Sequence, residues 1–180
     1  MPDAQTLAIR TASMADLAAV DALFARSYPK LLKPDYAPSI LVMALPRLSR
    51  AQPHLLASGR YYVAEFGRAI VAAGGWSRAD PAGAAGRPEL GHVRHLVCDD
   101  RVTRRGIATA VMTHTIAQAA AAGVARLDCI STLTAVPFYA ALGFVVVGPV
   151  RVPLGPGIRF PGVRMQLQLV PEGQSGPAPV

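Results

Sequence analysis

The stretch DDRVTRRGIATAVM, residues 99–112, decides how the rest of the chain is read. Two acids and three arginines lead to Gly106, and an apolar helical pattern begins directly after it. The start of a helix presents several backbone N–H groups without intrahelical partners, at the positive end of the helix dipole. A glycine there lets a phosphate approach the backbone without meeting a Cβ. Arg104 and Arg105 place mobile positive charge beside it. Each hydrogen bond to a charged group is worth about 1.5–3 kcal/mol. Three or four of them, less the cost of ordering, hold a pyrophosphate at about micromolar affinity. The competing reading is an ordinary exposed helix start, with arginines for solubility.

Working outward, ELGHVRHLVCD (89–99) reads as a strand running into this stretch. The helix spans about 105–122 and ends at Gly123, the residue type a helix C-terminus prefers. ARLDCIS (125–131) is the next strand, so residues 91–130 form a strand–helix–strand crossover. Upstream, residues 7–10 are a short strand. A helix follows over about 16–27, with Leu17, Val20, Leu23 and Phe24 at helical spacing and Ser13 with Asp16 as a capping pair. Residues 29–59 mix prolines with apolar runs and suggest one or two short helices. RYYVAEF, Gly67 and AIVAAGGWS spell strand, turn, strand, and residues 78–88 are loop by composition. Downstream, AVPFYAALG (135–143) is a short helix, FVVVGPV (144–150) a strand, and VRMQLQL (163–169) a half-exposed strand by its alternation. The order β–α–α–β–β–β–α–β–α–β–β implies an α/β chain of the α+β type. Its sheet is mixed, mostly antiparallel, with one parallel crossover where a ligand sits.

The composition agrees with one packed domain: 180 residues, 52% of them hydrophobic and 16% charged. The domain is expected over residues 1–170, with 171–180 and the first five residues disordered. A net charge of +7 favours an anionic partner. The arginines are scattered and no basic helix with interleaved aromatics occurs, so nucleic acid is not the expected partner. Cys98 and Cys129 lie in apolar runs without metal-type spacing, which points to two reduced core thiols and no metal. No secretion signal and no run of about 20 residues free of polar groups occurs, so a cytoplasmic protein without membrane association is expected.

The longer run HLVCDDRVTRRGIATAVM (95–112) resembles the acyl-CoA signature of the GNAT acetyltransferase superfamily: apolar strand, acidic turn, then Q/R-x-x-G-x-G/A opening a helix. Thr103 stands where Gln or Arg is usual, and Ala108 fills the second small position. AVPFYAALGFVVVG (135–148) is similar to the family's later P-F-Y-x-x-L-G-F element. The resemblance implies a GNAT-like fold with about six to seven strands and about four helices, and acetyl-CoA as co-substrate. It implies that the strand at Leu96, Val97 and Cys98 faces the thioester and pantetheine arm. Arg104, Arg105, Gly106, Ile107, Ala108 and Thr109 are then the pyrophosphate segment.

The activity it implies is direct acetyl transfer to a primary amine of a small molecule or peptide, with no covalent enzyme intermediate and neither cysteine as nucleophile. Tyr139, protonated at neutral pH, is the expected donor to the departing thiolate. His92 and His95 are the candidate bases, in a strand that also carries Arg94 and begins at Glu89. Each histidine fits a structural role as well. His114, Trp76, Tyr61 and Tyr62 fit packing at least as well as a site. Residues 28–60 are expected to choose the acceptor, and Asp35 is their only acidic residue, which disfavours a polycationic one. A non-catalytic acyl-CoA-binding or sensor module is the alternative, with nucleic-acid binding behind it. The fold class is compatible with a homodimer.

Overall fold

The computed structural model describes residues 6–169, so the terminal segments expected to be disordered lie outside the described residues. Seven strands form one sheet in the order β1-β2-β3-β4-β5-β7-β6. They are β1 (Leu7–Thr11), β2 (Tyr61–Phe66), β3 (Ala69–Ser77), β4 (Leu90–Cys98), β5 (Arg126–Thr132), β6 (Val145–Gly155) and β7 (Ile158–Gln168). All neighbours are antiparallel except β4 and β5, which the helix α4 (Ile107–Ala121) connects in parallel. The other helices are α1 (Leu17–Leu32), α2 (Pro38–Leu48), α3 (Pro53–Leu56) and α5 (Val136–Ala141). The mostly antiparallel sheet with one crossover is the architecture expected from the sequence, and α2 and α3 are two short helices within residues 29–59, where one or two were expected. No helix among the described residues is long and apolar enough to cross a membrane.

The sheet buries both faces. On one, Val20, Leu23, Phe24 and Leu32 of α1 pack on Val63, Ala73 and Val97. On the other, Met112 and Ala119 of α4 pack with Trp76, Leu127, Phe144 and Met165. Each fully buried large apolar side chain contributes about 1.5–3 kcal/mol.

Helix α1 runs past residue 27, the expected end, through Pro29 to Leu32. A proline inside a helix costs about 3 kcal/mol. Burial of Tyr28 and Leu32 on either side of it offsets that cost. The strand read at 144–150 is likewise longer, pairing with β7 as far as Gly155. The added residues include Pro153, and Pro149 lies within the strand as read. On an edge strand, however, a proline whose nitrogen faces outward removes no ladder bond.

Two irregularities shape the space between the faces. β4 and β5 pair only at Leu90–Arg126, Gly91–Leu127 and His92–Asp128, then part. Beyond His92, β4 has no strand partner on that side. On its other side β4 bulges: Ala73 faces Val97 and Gly75 faces Arg94, leaving His95 and Leu96 opposite Gly74 alone. His95 takes up the extra residue at φ +38. A Cβ on Gly75 would lie 2.2 Å from the Arg60 carbonyl oxygen, so β2 can approach only a glycine.

Candidate active site

The 99–112 stretch folds as its chemistry suggests. Asp99, 1% exposed, accepts from the Arg101 backbone N–H at 2.9 Å and from its guanidinium. It also pairs with Arg26 of α1 at 2.8 Å, while its own N–H donates to Val71. These partners hold its carboxyl far below the usual range. Lys30 reaches Asp100 at 3.0 Å. These bonds tie the loop to α1 and β3 and leave residues 103–109 free to face a ligand. Arg104 and Gly106 are both left-handed, at φ +64 and +75, and no atom lies within 4 Å of where a Gly106 Cβ would stand. The first helical bond runs from Ala110 N–H to the Gly106 carbonyl, so the amides at the mouth of α4 have no helical partner.

The gap between β4 and β5 opens into a cavity of about 980 Å³. Its walls run from Thr103, Gly106 and Thr109, along Leu96 and Cys98, to Tyr139. Its far end is closed by α1, α2 and the β6–β7 hairpin, through Leu32, Leu48, Leu154 and Phe160. Arg47, Gln52, Arg94 and His95 line it too. Among the described residues no Asp or Glu does.

A family model described as an acetyltransferase (GNAT) domain matches residues 60–169. The chain belongs to the GNAT acetyltransferase family. Among curated proteins, nothing matches it in sequence. Solved structures agree in fold. PaiA N-acetyltransferase from Thermoplasma acidophilum, in complex with coenzyme A, is similar at TM-score 0.68 and 11% identity, over 91% of this chain and 99% of that one. An N-acetyltransferase from Rhodopseudomonas palustris reaches 0.71 and 19%, over 91% and 96%. yncA from Salmonella typhimurium, with its cofactor acetyl-CoA, reaches 0.65 and 17%, over 97% and 98%.

Within this GNAT domain most of the residues expected to hold the co-substrate meet at one cavity. Leu96, Val97, Cys98, Arg104, Gly106, Ile107, Ala108 and Thr109 all line it; Arg105 does not. A charged, exposed residue adjacent to the loop can face either way, and sequence does not say which. Tyr139 is on the wall, 5% exposed, with its ring 5.3 Å from Phe144 and in the same buried cluster as Cys129. Burial raises its pKa well above the ordinary value of 10.0. Burial also pushes the Cys98 thiol up to about 11 and Cys129 to about 12, so both are thiols at neutral pH.

The two histidines part company. His92 does not line the main cavity; it lies in a smaller one of about 280 Å³, with Asp80, Arg126 and Arg164. His95 does line it, yet burial first, then Arg94, lowers its pKa to about 4. Its partner explains its state. Arg94 can only donate, so the Gln52 Oε1 it contacts at 3.1 Å is an acceptor. The Gln52 amide nitrogen therefore donates to His95 Nε2 at 2.8 Å, which leaves the proton of the neutral ring on Nδ1. A histidine so capped is a weak base. Glu89 lies outside the cavity, and His114 packs edge-on against Tyr62.

Sequence reasoning missed Gln52 and the buried partnership of Asp99 with Arg26. Gln52 sits in a proline-rich segment with no periodicity. Arg26 meets Asp99 across 73 residues of chain.

Proposed function

We propose that this GNAT domain moves the acetyl group of acetyl-CoA directly to a primary amine of a small molecule or peptide. The observation that carries the reading is the cavity itself: an unpaired strand edge leads from the acceptor end straight to an open, left-handed glycine at a helix N-terminus. The edge of β4 beyond His92 offers backbone partners to the two amides of a pantetheine arm, as an added strand would use them. The mouth of α4 offers N–H groups and Arg104 to the pyrophosphate. Residues 28–60 supply the acceptor end through Tyr28, Leu31, Leu32, Arg47, Leu48 and Gln52.

The reaction forms a nitrogen–carbon bond and breaks the carbon–sulfur bond, and the proton that nitrogen sheds on becoming an amide passes through water to the departing thiolate. Tyr139 serves it as a hydrogen-bond donor to the sulfur. Full proton transfer from a phenol of pKa about 10 to a thiolate of about 8.5 is uphill by about 2 kcal/mol, and burial adds to that. With no carboxylate on the wall and His95 capped, the amine loses its proton to water before it attacks. The lack of a strong base is also what favours the second reading, a module that binds acyl-CoA without transfer.

Calorimetric titration with acetyl-CoA tests the cradle. Wild type binds at about micromolar Kd, and Gly106→Glu, which puts a carboxylate at the phosphate position, binds at least about 100-fold more weakly. Equal binding by the two proteins removes the cradle. Release of free CoA thiol in the presence of an amine panel then separates transferase from binding module.

A further inference from the structure

Arg94 is the feature that acetyl-CoA leaves unused. It is 8% exposed, on the cavity wall, and its guanidinium donates to Ser77 Oγ at 2.9 Å and to Gln52 Oε1 at 3.1 Å. A guanidinium has five N–H donors, so three remain. Among the described residues no carboxylate lies within ion-pairing distance of it; Asp80 acts on it only from further off. A buried charge without a counter-ion costs several kcal/mol. Arg47 of α2 lines the same cavity, its guanidinium against Gly155 of the hairpin, also without an ion-pair partner among the described residues.

An acetyl group and a pantetheine arm carry no charge, and the phosphates go to the other end, at Gly106. The anion that Arg94 awaits is therefore on the acceptor. We propose that the acceptor is an amino acid with an apolar side chain, its carboxylate held by Arg94 with Arg47 at the rim. The planar fork of a guanidinium matches a carboxylate bidentately. Leu31, Leu32, Leu48, Leu154 and Phe160 give the acceptor side chain an apolar lodging. The same positive charge disfavours the ammonium form of the amine beside it and so favours the neutral nucleophile, where no wall residue serves as base. Gln52, which bridges Arg94 to His95, is a positioning residue for the fork.

This inference rests on the transferase reading for its chemistry but not for its test. Leucine, leucinamide and isoamylamine are titrated into the CoA-saturated protein by calorimetry, then assayed for thiol release with acetyl-CoA. Leucine is expected to bind about 100-fold more tightly than either uncharged-end analogue, and to lead in kcat/KM by at least that factor. Arg94→Gln is expected to remove the preference by weakening leucine alone, and Arg47→Gln, at an exposed position, to reduce it about tenfold. The wild-type comparison of ligands needs no variant to fold. Leucinamide or isoamylamine binding as well as leucine, or no binding by any of the three, overturns the proposal. Leucine binding that depends on Arg94 without turnover keeps the carboxylate clamp and overturns the transferase reading.

Discussion

At the scale of the residue, what matters is the state of a few protons. Tyr139 is held in its protonated form by burial, in the same cluster as Cys129. In the proposed reaction its proton makes a hydrogen bond to the departing sulfur. Tyr139→Phe is expected to lower turnover by about 10²–10³-fold while the calorimetric affinity for acetyl-CoA stays within about twofold. Unchanged turnover takes Tyr139 out of the mechanism. The motif around Tyr139 was legible in sequence. Its burial with Cys129 was not, because the two come from different elements, α5 and β5.

At the scale of the element, the bulge in β4 is the device on which the site turns. Of the two glycines beside it, Gly74 gives room to β4 and Gly75 to β2: a Cβ at Gly74 would press on Leu96 at 2.7 Å, and one at Gly75 on the Arg60 carbonyl oxygen at 2.2 Å. The Leu96 side chain can shift, whereas the Arg60 carbonyl cannot. Gly75→Ala is therefore expected to destabilise the protein by about 3 kcal/mol, as a drop in the urea midpoint, with Gly74→Ala costing less than half as much. Equal midpoints for the two variants contradict this account of the bulge. The strand pair AIVAAGGWS and ELGHVRHLVCD reads plainly as two strands. Nothing in their alternation reports the extra residue, since a bulge is a mismatch between two strands and each taken alone looks regular.

At the scale of the whole molecule, burial of His95 couples the site to stability. Its folded pKa, about 4, lies below the ordinary 6.5. The unfolded chain therefore binds more protons between these values, and stability falls as pH drops from about 6.5 to about 4. His92, also lowered by burial, acts in the same direction. Asp16, held at about 2 chiefly by Arg10, loses its contribution only at lower pH. Urea titrations from pH 7 to pH 4 are expected to show a loss of at most about 3 kcal/mol, reduced in His95→Asn. A flat profile over that window would mean that His95 is not held neutral by the fold.

The sequence by itself determined the elements, their order, the crossover at 91–130 and the glycine-led loop before α4. Those are set by periodicity, by glycine's conformational freedom and by the charge placed beside it, all of them local. Only the tertiary structure decided that β4 and β5 part beyond His92, that His92 turns to a separate cavity while His95 is capped by Gln52, and that Arg94 is left with free donors and no acid. Each of these depends on which side chains meet across tens of residues of chain, and on how much water the packing excludes around them. A linear pattern carries neither quantity.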